Sequence, residues 1–494
     1  MINRELFSRP MAPVKDLSTL TNRVPASPPR QTLAASGRPA VYTGAPLLQR
    51  FSFGILIAFL FMIFSRVFDV YFTSFHIPGI SYRLVGIFLV MSGAFVVAFR
   101  SGIGKFVLAF TVCFLAAIPF GVWRTGSLQT LMDQWLVGFV VFVATASLIP
   151  DFRQYTRTVK TIAFAIVVLS VTSITMGTTE NGRLFLSQGR FANPNEMAQA
   201  LLLGMPFCWA AFSNSRSLLG KFLGLSSLGL MLVVIGKTGS RGALVSILVI
   251  LVFLFVRASI AGKMKLLIAC VMLAALAVVT LPGGLRARYQ TFFSPEEPDV
   301  IESATADDAA ADSAMLSSAL SSTASRKAML VRSLVITAKH PLLGVGPGNF
   351  MVAEDASAKQ LGRRRGAWIG THNSFTQVSS ECGVPALICY VAVVVLSLKK
   401  SLAIYRRTRG LPQFREISSH ALALNYSLIA FTVTCMFVHA AYTSLLPVLA
   451  GLTVSLVRTA ESATSASMPQ PAAAPAWSRP YRAPAPRFSP ARSS

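Results

Sequence analysis

Four short polar stretches in an otherwise apolar chain hold the residue types that could do chemistry, and each sits at the end of a hydrophobic run. The first is Gly189-Arg190-Phe191-Ala192-Asn193-Pro194-Asn195-Glu196. Asn195 is the expected N-cap of the helix that follows, and Glu196 falls in its first turn, where the helix dipole favours a carboxylate. Arg190 is needed for neither task. The second, Lys237-Thr238-Gly239-Ser240-Arg241-Gly242, sets Arg241 at or just inside the edge of hydrocarbon, where a cation is costly unless it meets an anion. A guanidinium suits a diphosphate because it donates bidentate hydrogen bonds and keeps its charge. Arg190 and Arg241 would equally serve as anchors reaching to lipid headgroups. The third runs from Arg326 into His340-Pro341-Leu342-Leu343-Gly344-Val345-Gly346-Pro347-Gly348-Asn349-Phe350. Apolar positions from Ala328 to Ala338 recur at helical spacing, and Pro341 halts the helix at structural His340. The three glycines read as a tight turn; a dinucleotide loop would need a preceding strand.

The fourth stretch is Thr371-His372-Asn373-Ser374, with Glu381 and Gly383 opening the next apolar run. A histidine near the ordinary pKa of ~6.5 exchanges protons at neutral pH, which is what activation of a hydroxyl requires. Glu381 is expected as a first-turn partner of the helix dipole. Asn195, Ser240, Asn373 and Glu381, together with Arg326, are expected to line the bound substrate, while His372, Arg241 and Arg190 act on it. Neither an Asp-x-Asp signature nor a His/Cys ligand cluster accompanies them, so the expectation is chemistry on an anionic lipid with no metal and no cofactor.

The elements that must position these residues are membrane helices. Of 494 residues, 53% are hydrophobic and 13% charged, far from the balance of a soluble globular protein. Apolar runs at 51–65, 84–99, 106–122, 134–149, 161–177, 197–213, 222–236, 242–256, 266–281, 383–398, 421–438 and 443–457 make twelve candidate crossings of ~30 Å of hydrocarbon. The turn at Gly236–Gly242 leaves open one broken helix in place of two. Six cysteines without a CxxC pair, most of them inside apolar runs, give no disulfide framework. The net charge of +26 follows membrane topology, with no need of nucleic acid. With an even number of crossings and the N-terminus inside, the cation-rich loops (Arg153, Arg157, Lys160; Arg257, Lys263, Lys265; Lys399, Lys400, Arg406, Arg407) are cytoplasmic, and all four polar stretches fall outside. The expected organisation is a disordered cytoplasmic tail at 1–48, nine transmembrane helices over 49–281, a large outside loop at 282–382, three more helices over 383–458, and a Pro/Ala/Arg-rich cytoplasmic tail at 459–494. Within the loop, 294–325 reads as a flexible acidic and Ser/Ala-rich insertion. The fold class is all-α and polytopic.

The segments GRFANPNEMAQ, TGSRGAL, SRKAMLVRSLVITAKHPLLGVGPGNF and THNSFTQVSSECGVPAL, in this order over about 185–395, resemble the O-antigen ligase and O-antigen polymerase superfamily of bacterial envelopes. The large loop and the number of runs around them agree. Arg326 stands where that family places an arginine ahead of its His-Pro-x-x-Gly-x-Gly turn; the insertion before Arg326 and the two tails depart from the pattern. The resemblance implies a multi-pass protein of the inner membrane. It would move a glycan from an undecaprenyl-diphosphate carrier to an acceptor hydroxyl, lipid A–core or similar, at the periplasmic face. Inversion without a metal is implied, with Arg190 and Arg241 on the diphosphate, Arg326 holding it or orienting the loop, and His372 on the acceptor. A polymerase, whose acceptor is another carrier-linked repeat, would use the same residues. A lipid-linked glycan transporter is the third reading; it would show midplane charges or inverted repeats, and neither is visible in the sequence.

Overall fold

The computed structural model describes residues 46–67, 70, 95–180, 182–187, 193–280, 282–290, 324–362 and 367–467. Arg190, most of the expected insertion at 294–325, and most of both expected tails lie outside these residues. The protein is an all-α membrane protein. Its helices, in chain order, are α1 (Pro46–Ser65), α2 (Phe95–Arg100), α3 (Gly102–Ala117), α4 (Arg124–Ser147), α5 (Phe152–Met176), α6 (Pro194–Ser213), α7 (Leu218–Lys237), α8 (Arg241–Arg257), α9 (Ile260–Thr280) and α10 (Gly283–Gln290). After these come α11 (324–339), α12 (Phe350–Gln360), α13 (Ser374–Thr408), α14 (Arg415–Thr434) and α15 (Leu445–Ser467). A short antiparallel hairpin, β1 (Thr178–Glu180) with β2 (Arg183–Phe185), pairs Thr179 with Leu184 between α5 and α6.

Among the described residues, α4, α5, α7, α13 and α15 are each long and apolar enough to cross a membrane. Large apolar side chains on α7 to α9, such as Leu218, Phe222, Val256, Ile260 and Val271, are exposed over most of their surface, as lipid-facing residues are. Polar caps close the ends: Ser101 accepts from Gly104 N, Asp151 from Gln154 N and Ser217 from Gly220 N, each satisfying a donor that the first helical turn leaves without a partner. The boundary at Gly236–Gly242 folds as two helices, α7 and α8, joined by a turn in which Gly239 takes φ +61°.

Three sequence expectations move. The N-cap of α6 is Asn193, whose side chain accepts from Asn195 N at 2.9 Å; Pro194, with its preset φ and missing N–H, takes the first helical position and pushes Asn195 inside the helix. Helix α13 starts at Ser374, well before 383, so Glu381 lies in its third turn and meets no helix-end dipole. Helix α15 runs on to Ser467, past the expected tail boundary at 459, and α1 begins at Pro46 inside the expected 1–48 tail.

One end of the bundle gathers the hairpin, the start of α13 and the connection between α14 and α15. Its core is aromatic: Phe114 meets Tyr442 edge-on at 5.1 Å, and Phe110 contacts Trp135 at 4.6 Å and Tyr390 at 5.8 Å. Gln199 on α6 donates to Thr434 on α14 at 2.8 Å, a buried polar tie between helices where water is scarce.

Candidate functional site

The glycine turn after α11 is the keystone of this end. His340 N closes α11 on Ile336 O, His340 itself is exposed, and the chain then passes through Gly344, Gly346 and Gly348 with φ of +64°, +98° and +75°. A Cβ at Gly346 would stand 2.6 Å from Gly121 Cα, so only glycine fits against the start of α4. The turn docks onto a break in α13, where Gly383 leaves helical geometry at φ +85° and Pro385 lacks the N–H that would bond Glu381 O. The released carbonyls of Ser380 and Glu381 accept instead from Val345 N and Gly346 N, both at 2.9 Å, and Val384 N turns to Pro341 O. The Glu381 carboxylate completes the dock by accepting from Gly348 N at 2.9 Å and Phe350 N at 3.2 Å. Glu381 is therefore a buried clamp for the turn.

Around the turn between α7 and α8 four arginines converge: Arg183 from β2, Arg241 from the first turn of α8, Arg288 from α10 and Arg326 from α11. Arg183 Nε donates to Thr238 O at 2.8 Å and its Nη2 to Asn195 Oδ1 at 3.0 Å, while Arg288 Nε donates to Gly239 O at 3.1 Å. Two arginines thus hold the carbonyls of the turn that presents a third, and Asn195 orients Arg183. Ser240 caps α8 by accepting from Ala243 N at 3.4 Å. Burial, reinforced by Arg288, Arg326 and Arg241, pulls Arg183 down to about 9; burial with Arg241 and Arg326 pulls Arg288 to about 10. Arg326 is lowered first by burial and then by Arg241, and its Nε is enclosed without a hydrogen-bond partner. A nest of guanidinium groups pressing on one another is a site that an anion would stabilise. Sequence reasoning missed Arg183 and Arg288; their only signal was that both are cations in segments expected outside, against the charge bias.

His372 is held by a separate set of bonds. Asn373 caps α13 by accepting from Phe375 N and Thr376 N, and Ser374 ties the helix start to the α14–α15 connection through Cys435 O and Val438 O, both at 2.7 Å. Ala440 N returns a bond to Ser374 Oγ at 3.0 Å. Between these restraints His372 adopts φ +51°, a left-handed backbone that costs a non-glycine residue of order 1 kcal/mol and persists because the flanking bonds fix it. The same bonds bring His439 against it, ring centroids 5.4 Å apart at 78°. Burial first, then His439 and Arg326, lower His372 to about 4; burial also lowers His439. The sequence expectation of a histidine titrating near neutrality is corrected: His372 is a neutral imidazole at physiological pH.

Arg241, Arg326, Lys327, His372 and Asn373 line one cavity of about 290 Å³, whose other walls are the apolar Val245, Leu330, Met436 and Phe437. Asn195 and Ser240 stand behind it as supports, Glu381 faces a neighbouring cavity, and Arg190 lies outside the described residues. Among the described residues no group of three or more His, Cys, Asp or Glu is placed to hold a metal ion.

Residues 226–391 match the family model described as O-antigen ligase, a stretch that contains Arg241, Arg288, Arg326, the glycine turn, His372 and Glu381. This stretch is similar to the O-antigen ligase family. Three of the four motifs that carry the resemblance fall inside the match; the first, at 189–199, precedes it. Arg183 and His439 reach the domain's site from segments outside the match. No curated protein matches the chain.

Proposed function

We propose that this O-antigen ligase-family protein is a glycosyltransferase that moves a glycan from undecaprenyl diphosphate to an acceptor hydroxyl, lipid A–core or a similar saccharide, at the periplasmic face of the inner membrane. The observation that carries the reading is a single cavity in which Arg241, Arg326 and Lys327 stand beside His372 above apolar walls. Cations suit the diphosphate, and the apolar walls suit the first isoprene units of its lipid. As the bond between the sugar and the diphosphate breaks, negative charge grows on the leaving oxygen, and guanidinium groups fixed in a half-buried site stabilise it without reorganising. Arg183 and Arg288 hold the backbone that presents Arg241. Arg190 is proposed as a further diphosphate ligand from its sequence position alone.

His372 takes the proton of the acceptor hydroxyl. A base of pKa about 4, held down first by burial and then by His439 and Arg326, is weak, but a diphosphate bound beside it adds an anionic neighbour that raises it. Donor binding thus prepares the base. Attack from the face opposite the leaving diphosphate inverts the anomeric centre. With arginines in the role that a cation plays elsewhere, the proposed reaction is independent of added metal.

The test is transfer by purified protein in nanodiscs with EDTA present. It is supplied with glycan on undecaprenyl diphosphate and, in separate reactions, lipid A–core or excess carrier-linked repeat. Product on lipid A–core supports the ligase reading, and a ladder on the carrier makes the protein a polymerase built on the same site. Absence of product from both acceptors, with the donor bound, contradicts the transferase reading.

A further inference from the structure

On the far side of the histidine pair lies a second cavity, of about 400 Å³, with a different character. Asp133, Gln134, Glu196, Gln377 and His439 supply its polar wall, and no Lys or Arg lines it among the described residues. Phe350, Met351 and Tyr442 add apolar surface. Thr371 lines both cavities, His372 faces the cationic one, and His439 faces this one. The two chambers therefore meet at two imidazoles whose centroids are 5.4 Å apart.

Resting on the transferase reading above, we propose that this second cavity binds the acceptor saccharide, with Asp133 and Glu196 taking its hydroxyl hydrogens. Carboxylates and carboxamides accept and donate to neutral polyols, and the adjoining aromatic and thioether surface suits the apolar face of a sugar ring. Charge sorts the two substrates. The anionic diphosphate is drawn to Arg241 and Arg326 and repelled by the acidic chamber, whereas a neutral saccharide suffers no such penalty.

Two further observations point the same way. Asp133 and Gln134 reach the cavity from a π-helical turn, Leu131–Trp135, that interrupts α4; its wider coil swings these two side chains away from the register of an α-helix, and such turns recur at functional sites. His439 Nδ1 is shielded from solvent and meets no hydrogen-bond partner, which leaves an imidazole at the cavity wall short of one bond. Glu381 also faces the cavity, and its carboxylate accepts from Gly348 N and Phe350 N, which ties the glycine turn to the cavity wall. In the transfer step the acceptor oxygen bonds to the anomeric carbon as that carbon's bond to the diphosphate oxygen breaks. The hydroxyl proton goes to a neutral imidazole of the pair, and the electron pair leaves with the diphosphate.

The experiment uses the full chain in nanodiscs with three variants, Asp133→Asn, Glu196→Gln and the cavity-filling Met351→Trp. The acceptor probe is deacylated lipid A–core oligosaccharide, or carrier-linked repeat if the wild type elongates that instead. Undecaprenyl diphosphate is the binding probe for the other chamber. The expected result is an acceptor KM raised about tenfold or more in each variant, with affinity for undecaprenyl diphosphate within about twofold of wild type. Met351→Trp alters only the partly exposed face of α12, so it keeps the test alive should a carboxylate variant fold poorly. An unchanged acceptor KM in folded variants, or a parallel loss of diphosphate affinity, overturns the acceptor assignment while the donor reading stands. A wild type with no affinity for undecaprenyl diphosphate overturns the donor reading and this inference with it.

Discussion

Donor binding should change the acidity of His372, and the size of the change can be worked from the site. In the empty protein the imidazole sits at about 4, held down by burial, by His439 and by Arg326. A glycan-bearing diphosphate in the same cavity brings negative charge to within about 7 Å. At an effective dielectric near 20, one such charge is worth about 2.4 kcal/mol, nearly two pH units upward. The donor complex should therefore titrate near pH ~6 while the free protein titrates near ~4. Initial rates measured from about pH 4.5 to 8 separate the two, because kcat/KM for the donor reports the free enzyme and kcat reports the complex. At about pH 5, kcat/KM should retain roughly 90% of its plateau, whereas a histidine at its ordinary ~6.5 would retain about 3%. Replacing Arg326 by Gln removes one of the groups that depress His372, so the limb of kcat/KM should move to higher pH as overall donor affinity falls. Coincident limbs in kcat and kcat/KM near pH ~6.5 would refute the reasoning, since they would mean that neither the cationic wall nor the bound diphosphate acts on His372.

Other outcomes follow from named contacts. Arg241→Ala should cut transfer at least ~100-fold in single-turnover assays, and Arg241→Lys should recover only part of it, because a lysine cannot grip a diphosphate bidentately. Arg183→Ala removes bonds to Thr238 O and Asn195 Oδ1, so donor affinity should drop about tenfold and thermal unfolding should lose about 2 kcal/mol, checked by titration and by scanning fluorimetry. Gly346→Ala forces a Cβ onto Gly121 at φ +98° and should cost about 3 kcal/mol or more, read as loss of monodisperse protein on size exclusion. Transfer in the presence of EDTA should equal transfer without it, and restoration of a lost rate by a divalent cation would contradict the arginine-based scheme.

The all-α membrane class was legible because it rests on composition and run length, and five of the expected apolar runs fall on described helices long and apolar enough to cross a membrane. The start of α13 was not: SFTQVSSECG is too polar for a hydropathy window, yet it is helical because Glu381 spends its polarity on the glycine turn, Ser374 and Gln377 spend theirs on the connection between α14 and α15, and the Ser380 hydroxyl bonds back to Thr376 O. Glu381 was misread for the same reason, since a carboxylate in a helix says nothing of the backbone N–H groups that another segment will deliver to it. Arg241, Arg326 and His372 were picked out by residue type at helix ends, and the structure brings these three to one cavity. Arg183 and Arg288 carry no signal beyond a charge against the expected bias, and His439 carries none; each acquires its place through segments that are distant in sequence and converge only in the fold. Asn195 and Ser240 were marked as substrate contacts; in the structure Asn195 accepts from Arg183 and Ser240 caps the start of α8.

The central claim is that one cavity divides its labour between arginines that bind the diphosphate and a histidine that moves the acceptor proton. Binding of the glycan-linked carrier and single-turnover transfer, measured on the same nanodisc preparations of wild type, Arg241→Ala and His372→Ala, test it most directly. The account predicts that Arg241→Ala loses donor affinity and transfer together, while His372→Ala binds the donor normally and fails to transfer. Normal transfer by either variant, or donor affinity lost in His372→Ala and kept in Arg241→Ala, would contradict it.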